Sequence, residues 1–172
     1  DMNINVDIRD LVIIPGIIIV MGTTLYFVNI VPMRVSSLII DALRLNGSEY
    51  EKTIKLYKQA LSYNVTGSQE VREQAISLSE NFIRNNTAEP AVQQAFFALA
   101  QQAIKEQIEY APLDARAYLI GGSFLNRLNQ FDTASPLLQK AQELTPNKQS
   151  PLFELATNDL NTKEYSDKQM LE

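Results

Sequence analysis

The chain has 172 residues, of which 45% are hydrophobic, and it carries a formal net charge of -5 at pH 7 with neither cysteine nor histidine. The missing thiol and imidazole groups exclude disulfides, thiolate nucleophiles, typical zinc sites and histidine acid–base chemistry from these residues. A mildly acidic chain also lacks the basic footprint of a nucleic-acid-binding protein. We therefore expect no cofactor, no metal and no nucleic-acid partner.

An uncharged segment of 23 residues, LVIIPGIIIVMGTTLYFVNIVPM, extends from Leu11 to Met33. Thirteen of its residues are Leu, Ile, Val or Phe, and they occur on every side of the helical wheel, unlike the single stripe of a surface helix. As a helix the segment is roughly 35 Å long, enough to cross a hydrocarbon core of about 30 Å with some tilt. We predict a flank over residues 1–10, a transmembrane helix over 11–33, and membrane lipid as one partner.

Two other structures fit an apolar segment of this length, namely a secretory signal peptide and a fully buried core helix. A signal peptide has a basic N-terminal region and an A-x-A-like cleavage site, whereas this flank is DMNINVDIRD and no such site follows. We therefore favour a membrane span. Arg34 and Arg44 follow the segment and Arg9 precedes it, which leaves both orientations of the span open.

From residue 34 onward the pattern is helical, and no run alternates with period two. We predict a short helix over VSSLIIDALRL, then a helix that opens with a capping box, with Ser48 as the cap and Glu51 three residues later. Short connections between helices predict antiparallel neighbours. Apolar residues at helical spacing mark three faces: Tyr50, Ile54, Tyr57 and Leu61; Val71, Ala75, Leu78 and Phe82; and Val92, Phe96, Leu99 and Ala103.

A period of 34 residues relates Pro112 to Pro146, and also relates Phe97, Phe131 and Tyr165. Helix pairs with this period have the length of a tetratricopeptide repeat (TPR). The unit ARAYLIGGSFLNRLNQFDTASPLLQKAQELTP is similar to the TPR pattern, in which small residues let two helix backbones approach closely. The residues predicted to pack or end its helices are Tyr118, Gly122, Phe131, Ala134, Leu138, Ala141 and Pro146.

The other units are less regular. Residues 35–63 form a divergent first pair, and the second pair is thirteen residues too long and has Gln107 at an expected small position. The last unit has Ser150 as a predicted cap and Pro151 in its first turn, and we expect the chain to break off in that unit's second helix. The predicted fold is all-α, with one transmembrane helix followed over residues 34–172 by a TPR-like stack of antiparallel hairpins whose last repeat is truncated. Both chain ends are expected to be fragment boundaries.

Two segments carry a more specific resemblance, FVNIVPMRVSSLIIDAL at the end of the apolar segment and GSQEVREQ in the second pair. Together they resemble the C-terminal region of bacterial O-antigen ligase-like membrane proteins with TPR tails, in which the final span ends in an N-I-x-P turn. The resemblance implies an integral protein of the inner (cytoplasmic) membrane. It also implies a parent that transfers a glycan from a lipid carrier with residues upstream of this region, so no catalytic residue is assigned here.

Three local features have a functional interpretation that we do not favour. Glu70 and Glu73 form a possible carboxylate pair, but in a first helical turn they complement the helix dipole, with Arg72 on the solvated side. Gly121 and Gly122 could indicate a phosphate-binding loop, but we interpret them as positions of close helix packing. Lys52, Lys55 and Lys58 could contact lipid head groups, but we interpret them as a solvated helix face.

Two functional hypotheses follow. In the first, the chain is the last span and TPR tail of a glycan ligase or polymerase, and the tail recruits or positions a protein or peptide partner. In the second, it is a single-span membrane TPR scaffold without enzymatic activity. Both use the repeat stack as an extended surface for a partner, and GSQEVREQ favours the first.

Overall fold

The computed structural model describes residues 8–45, 49–63, 65, 67–85 and 89–169, with side chains described for residues 11–163 of these ranges. Every element within them is helical and none is a strand, which confirms the predicted all-α fold of one long apolar helix followed by a helical stack. The elements are α1 (Ile8–Leu25), a π-helical turn (Tyr26–Ile30), α2 (Val31–Arg44), α3 (Tyr50–Ser62), α4 (Ser68–Arg84), α5 (Pro90–Tyr110), α6 (Ala115–Arg127), α7 (Phe131–Leu144) and α8 (Gln149–Gln169).

The apolar helix does not end at the predicted turn before Pro32. Instead α1, the π-helical turn and α2 form one helix, because the Val31 N–H donates to the Tyr26 carbonyl, five residues back, and the chain stays helical. Pro32 has no N–H, and its ring needs room where a normal helix places the carbonyl four residues earlier. A turn widened by one residue supplies that room. The prediction of an N-I-x-P turn is therefore wrong.

Burial along this helix changes abruptly at Val31. Residues 11–30 are all exposed, whereas Val31, Val35 and Ala42 are buried, with Leu38 and Ile39 packed against the same core. These five positions lie on one helix face. α2 is thus the first helix of the stack, and α1 extends out of it.

The stack consists of three helix pairs, α2/α3, α4/α5 and α6/α7, with α8 packed against α6 and α7. The three predicted apolar faces are confirmed, since Tyr57, Ala75 and Phe96 at their centres are fully buried. The Phe82 and Phe96 rings stack with their centroids 4.5 Å apart, which joins α4 to α5. Burial of such faces is the main source of stability for helices of this length.

The first and last residues of the helices follow the predicted 34-residue period. α6 begins at Ala115 and α8 at Gln149, while α5 ends at Tyr110 and α7 at Leu144. Both separations are 34 residues, so Phe97 and Phe131 lie equally far from the ends of their helices. Compared with α6 and α7, the second pair has thirteen additional residues. Four are in α4, seven are in α5 and two are in the connection between them.

Two predictions for helix ends differ from the structure, and one lies outside it. α8 begins at Gln149, so Ser150 is inside the helix and is not its cap. α8 also continues through Tyr165 to Gln169, because its central residues include neither Gly nor Pro, and the expected second helix of this unit does not begin there. Ser48, the predicted cap of α3, lies outside the described residues.

We predict that Ala141→Asp destabilises the stack strongly. Ala141 is fully buried in α7, so a carboxylate forced into that position loses its hydration. The expected loss is about 3 kcal/mol in the free energy of unfolding, or a fall in Tm of about 6 to 12 °C. Gln139→Asp, on the exposed face of the same helix, is the control and should leave Tm within about 2 °C. Equal melting temperatures for the two variants, measured by circular dichroism in detergent, would show that Ala141 is not a packing position.

Candidate membrane segment and interhelical packing site

The helix from Leu11 to Arg44 has the length and apolar composition of a membrane span. Residues 11–30 are exposed and make no buried contact with the stack, so this part of the helix does not belong to the core of the folded domain. Two of its hydroxyl groups bond to its own backbone, with the Thr24 Oγ1 donating to the Val20 carbonyl at 2.8 Å and the Ser37 Oγ donating to the Met33 carbonyl at 3.0 Å. Such internal bonds let hydroxyl groups lie beside hydrocarbon.

One aromatic and one cationic side chain meet where the apolar segment enters the stack. The Arg34 guanidinium carbon lies 6.0 Å from the centroid of the Tyr26 ring, across the π-helical turn. This distance is at the outer limit of a cation–π contact. Tyr and Arg are side chains that favour the membrane–water interface, the first as an amphipathic ring and the second by extending its charge into water.

The predicted packing residues of the third pair lie between α6 and α7, and Gly122 is the point of closest approach. A Cβ atom at Gly122 would come within 2.6 Å of the Leu138 Cγ and 3.4 Å of the Ala134 carbonyl oxygen. Ala134, Leu138 and Ala141 are fully buried and Phe131 is 7% exposed. No side chain larger than hydrogen fits at position 122 without moving the buried Leu138.

The two remaining predicted residues lie at the rim of this pair. Tyr118 is half-buried, and its hydroxyl donates to the Pro112 carbonyl at 3.0 Å, which ties α6 to the turn that precedes it. Pro146 is exposed in the turn after α7, and its carbonyl accepts from the Gln142 Nε2. Gly121, next to Gly122, lies inside α6 against Ile104 and Leu137, so the glycine pair is helical and is not a loop.

Arg72 is buried, and the prediction that it lies on a solvated face is wrong. Its side chain is 3% exposed, its Nη1 donates to the Gln107 Oε1 at 2.9 Å, and its Nε lies 3.8 Å from the Glu106 Oε2. The guanidinium carbon also lies 5.3 Å from the centroid of the Tyr110 ring. Gln107, by its distance from the end of α5, takes the place that Ala141 has in α7, so the large polar residue at this small-residue position is the acceptor for Arg72.

Acidic residues of α4 form ion pairs with α6. The Glu73 Oε2 lies 2.7 Å from the Arg116 Nη2, and this bond raises the pKa of the Arg116 guanidinium. The Glu80 carboxylate similarly lies 3.4 Å from the Arg127 Nη1. Glu73 therefore links the second helix pair to the third, which is a role beyond the predicted interaction with the helix dipole. The Glu73 and Glu80 carboxylates are both largely shielded from water.

No cluster of three or more acidic or other metal-ligating side chains occurs in the part of the chain that the structure describes. The space beside Arg72 and Gln107 measures about 10 Å³, room for about one water molecule and too small for a metabolite. A larger, mostly apolar groove of about 400 Å³ lies between α2 and α4. Lys52, Lys55 and Lys58 are exposed on α3, as predicted for a solvated face, and Lys52 pairs with Glu49 at 3.3 Å.

No family model, curated protein or solved structure matches this chain. The geometry of the segment and the stack is therefore the basis for assigning a function.

We predict that Arg72 and Gln107 stabilise the stack only as a pair. Arg72→Met leaves the Gln107 amide buried without this donor, and Gln107→Leu leaves the guanidinium without this acceptor. Each single variant should lower the free energy of unfolding by about 2 kcal/mol. The double variant should lie within about 1 kcal/mol of the wild type, because an apolar pair of similar volume replaces a buried polar pair at little net change.

The measurement is urea unfolding of the wild type, both single variants and the double variant in the same detergent. If the double variant loses the sum of the two single effects, the side chains act independently and the pair is not a unit.

Proposed function

We propose that this chain is a membrane-anchored TPR-like helical module that positions a protein or peptide partner at the membrane surface, as the tail of an O-antigen ligase-like glycan transferase. The observation that carries the proposal is the continuous helix Leu11–Arg44, exposed and apolar over its first twenty residues and packed into the stack from Val31 onward. A helix of this kind serves as the anchor and as the first structural element of the module.

The continuity of the helix favours a span over a cleaved signal sequence. Signal peptidase acts after a short apolar segment at a small-residue site, whereas here the end of the segment and the residues after it are helical and include the buried Val31 and Val35. Cleavage near this point would cut a helix whose next turns belong to the core. The uncleaved helix instead holds the module at the bilayer.

The ligase-like parent is proposed from the resemblance, and the structure gives its residues local roles. In GSQEVREQ, Gly67 has a φ of +94°, a left-handed conformation that favours glycine, and it precedes the first residue of α4. Val71 and Arg72 of the same segment are buried. These residues thus begin and pack α4 in the proposed helical tail. The glycan chemistry belongs to the proposed parent rather than to these residues.

The second candidate function, a single-span scaffold with no enzyme attached, shares the anchor and the stack. Reading the coding sequence upstream of Asp1 separates the two functions. Eight or more further predicted spans would support the ligase-like parent, and a start codon within a few residues would support the scaffold.

We predict that the chain stays in the membrane fraction with its apolar segment intact. Alkaline carbonate extraction of cells that express it should leave it in the pellet, and mass spectrometry should give the mass of the uncleaved chain. Replacing Ile18 and Val20 by Arg puts two charges in the middle of the segment, at about 2.5 to 3.5 kcal/mol each, and should move the protein to the soluble fraction. A control with Lys52 and Lys55 replaced by Arg keeps charge on the exposed face of α3 and should behave as the wild type. A product shortened to about residue 31 would establish a signal sequence instead.

We also predict that this chain alone transfers no glycan. Transfer from a lipid-linked diphosphate requires an acid or base that titrates near neutral pH, or a cluster of cations on the diphosphate. The chain has no histidine and no cysteine, and the arginines Arg72, Arg116 and Arg127 are engaged within the stack. The assay incubates the chain in liposomes with a lipid-linked glycan and an acceptor, beside an O-antigen ligase as the positive control. Turnover approaching that of the ligase would place the chemistry in these residues.

A further inference from the structure

The α5–α6 turn has exposed apolar side chains that the stack does not cover. Leu113 is 81% exposed, more than any other large apolar residue that the structure describes, and Tyr110 is 68% exposed. Pro112 lies exposed between them. These three residues surround one turn and do not follow a helical stripe, so they do not have the pattern of a face awaiting another helix.

Contacts across the stack place this turn at the end from which the anchor leaves. α3 packs back along α2 and α4 along α3 through short connections, so the first turn of α4 lies at the same end of the stack as the first turn of α2, and Pro32 and Gly67 line one groove. One turn into α4, Arg72 lies against Tyr110 at the end of α5, and Glu73 binds Arg116 at the start of α6. The α5–α6 turn thus lies at the end of the stack from which residues 11–30 extend. The α6–α7 turn, with Gln130, lies at the other end because α6 is antiparallel to α5 and to α7.

The chemistry of the turn fits the interface of a bilayer rather than a charged surface. Tyrosine favours the membrane–water interface and leucine favours the hydrocarbon below it. Lys105 pairs with Glu109 at 3.8 Å and Arg116 with Glu73 at 2.7 Å. The Asp114 carboxylate next to Leu113 accepts from the Arg116 backbone N–H at 2.9 Å. The turn therefore presents an apolar surface with one carboxylate beyond these ion pairs and no surplus of cations, suited to lipid whose head groups are zwitterionic rather than anionic.

We infer that Tyr110, Pro112 and Leu113 form a second membrane contact, which inserts into the bilayer that α1 crosses. This inference rests on the proposed function, since it needs the anchor to lie in a membrane. The anchor already holds the turn at the surface, so its effective concentration there is high and a weak insertion suffices. The contact fixes the tilt of the stack, which a single helix would leave free to vary.

The chain has no tryptophan, so single tryptophans report single sites. Three variants, Leu113→Trp, Gln130→Trp and Ile18→Trp, are each reconstituted as the full chain in phosphatidylcholine vesicles. Residues 113 and 130 are both exposed turn positions at opposite ends of the stack, and Ile18 lies within the apolar segment. The measurements are emission wavelength, quenching by lipids brominated near the head group or deep in the acyl chain, and quenching by aqueous iodide.

We expect Ile18→Trp to be quenched by deep bromines and Leu113→Trp by shallow ones, the latter about threefold more than Gln130→Trp. The Leu113→Trp signal should stay unchanged between roughly 0.05 and 0.5 M salt, because the contact is apolar. If Ile18→Trp is quenched but Leu113→Trp is as open to iodide as Gln130→Trp, the second contact is wrong and the anchor stands. If Ile18→Trp is not quenched, the proposed anchor fails, and the second contact fails with it.

A second pair of variants tests the contact without enlarging an apolar side chain. Tyr110→Trp reports the same turn, and adding Leu113→Asp puts a carboxylate where the leucine side chain would insert. We expect shallow-bromine quenching of the Tyr110 probe to fall about threefold in the double variant, with an unchanged melting temperature because Leu113 is exposed. Equal quenching in both variants would overturn the inference.

Discussion

The helical backbone that continues from α1 through the π-helical turn into α2 is the constraint on which the rest of the structure depends. In hydrocarbon an unbonded N–H or C=O group is unfavourable by several kcal/mol, so a turn at the apolar segment's end would expose backbone where water is scarce. The π-helical turn admits Pro32 and keeps the chain helical. As a result the apolar segment passes directly into α2, the first helix of the stack.

Two kinds of contact then hold the stack together. Within the third pair, Gly122 brings α6 against Leu138 and Ala134 of α7 at distances that no larger residue allows. Between pairs, Glu73 and Glu80 of α4 reach Arg116 and Arg127 of α6 across the packed interface. Close backbone packing shapes the third pair, and ion pairs with partly buried carboxylates join it to the second pair.

Periodicity predicted the helices, their buried faces and the 34-residue spacing, because those depend on residues close in the sequence. It failed where a distant residue decides the outcome. Arg72 looks solvated beside Glu70 and Glu73, but its acceptor Gln107 lies 35 residues away, and only the oddity of Gln107 at a small position pointed there. The predicted turn before Pro32 is wrong because a π-helical turn accommodates the proline within the helix, and Ser150 is not a cap because α8 begins one residue earlier.

The Arg72–Gln107 hydrogen bond also favours the packing of α4 against α5 over packing against another helix. Pairs of similar helices can exchange partners during folding, and an interface made only of apolar side chains discriminates poorly between them. If α4 docked on α7, Arg72 would meet Ala141 in place of Gln107 and would bury its charge without that acceptor. The bond thus favours docking of α4 on α5, because a swapped arrangement would bury the Arg72 charge without the Gln107 acceptor.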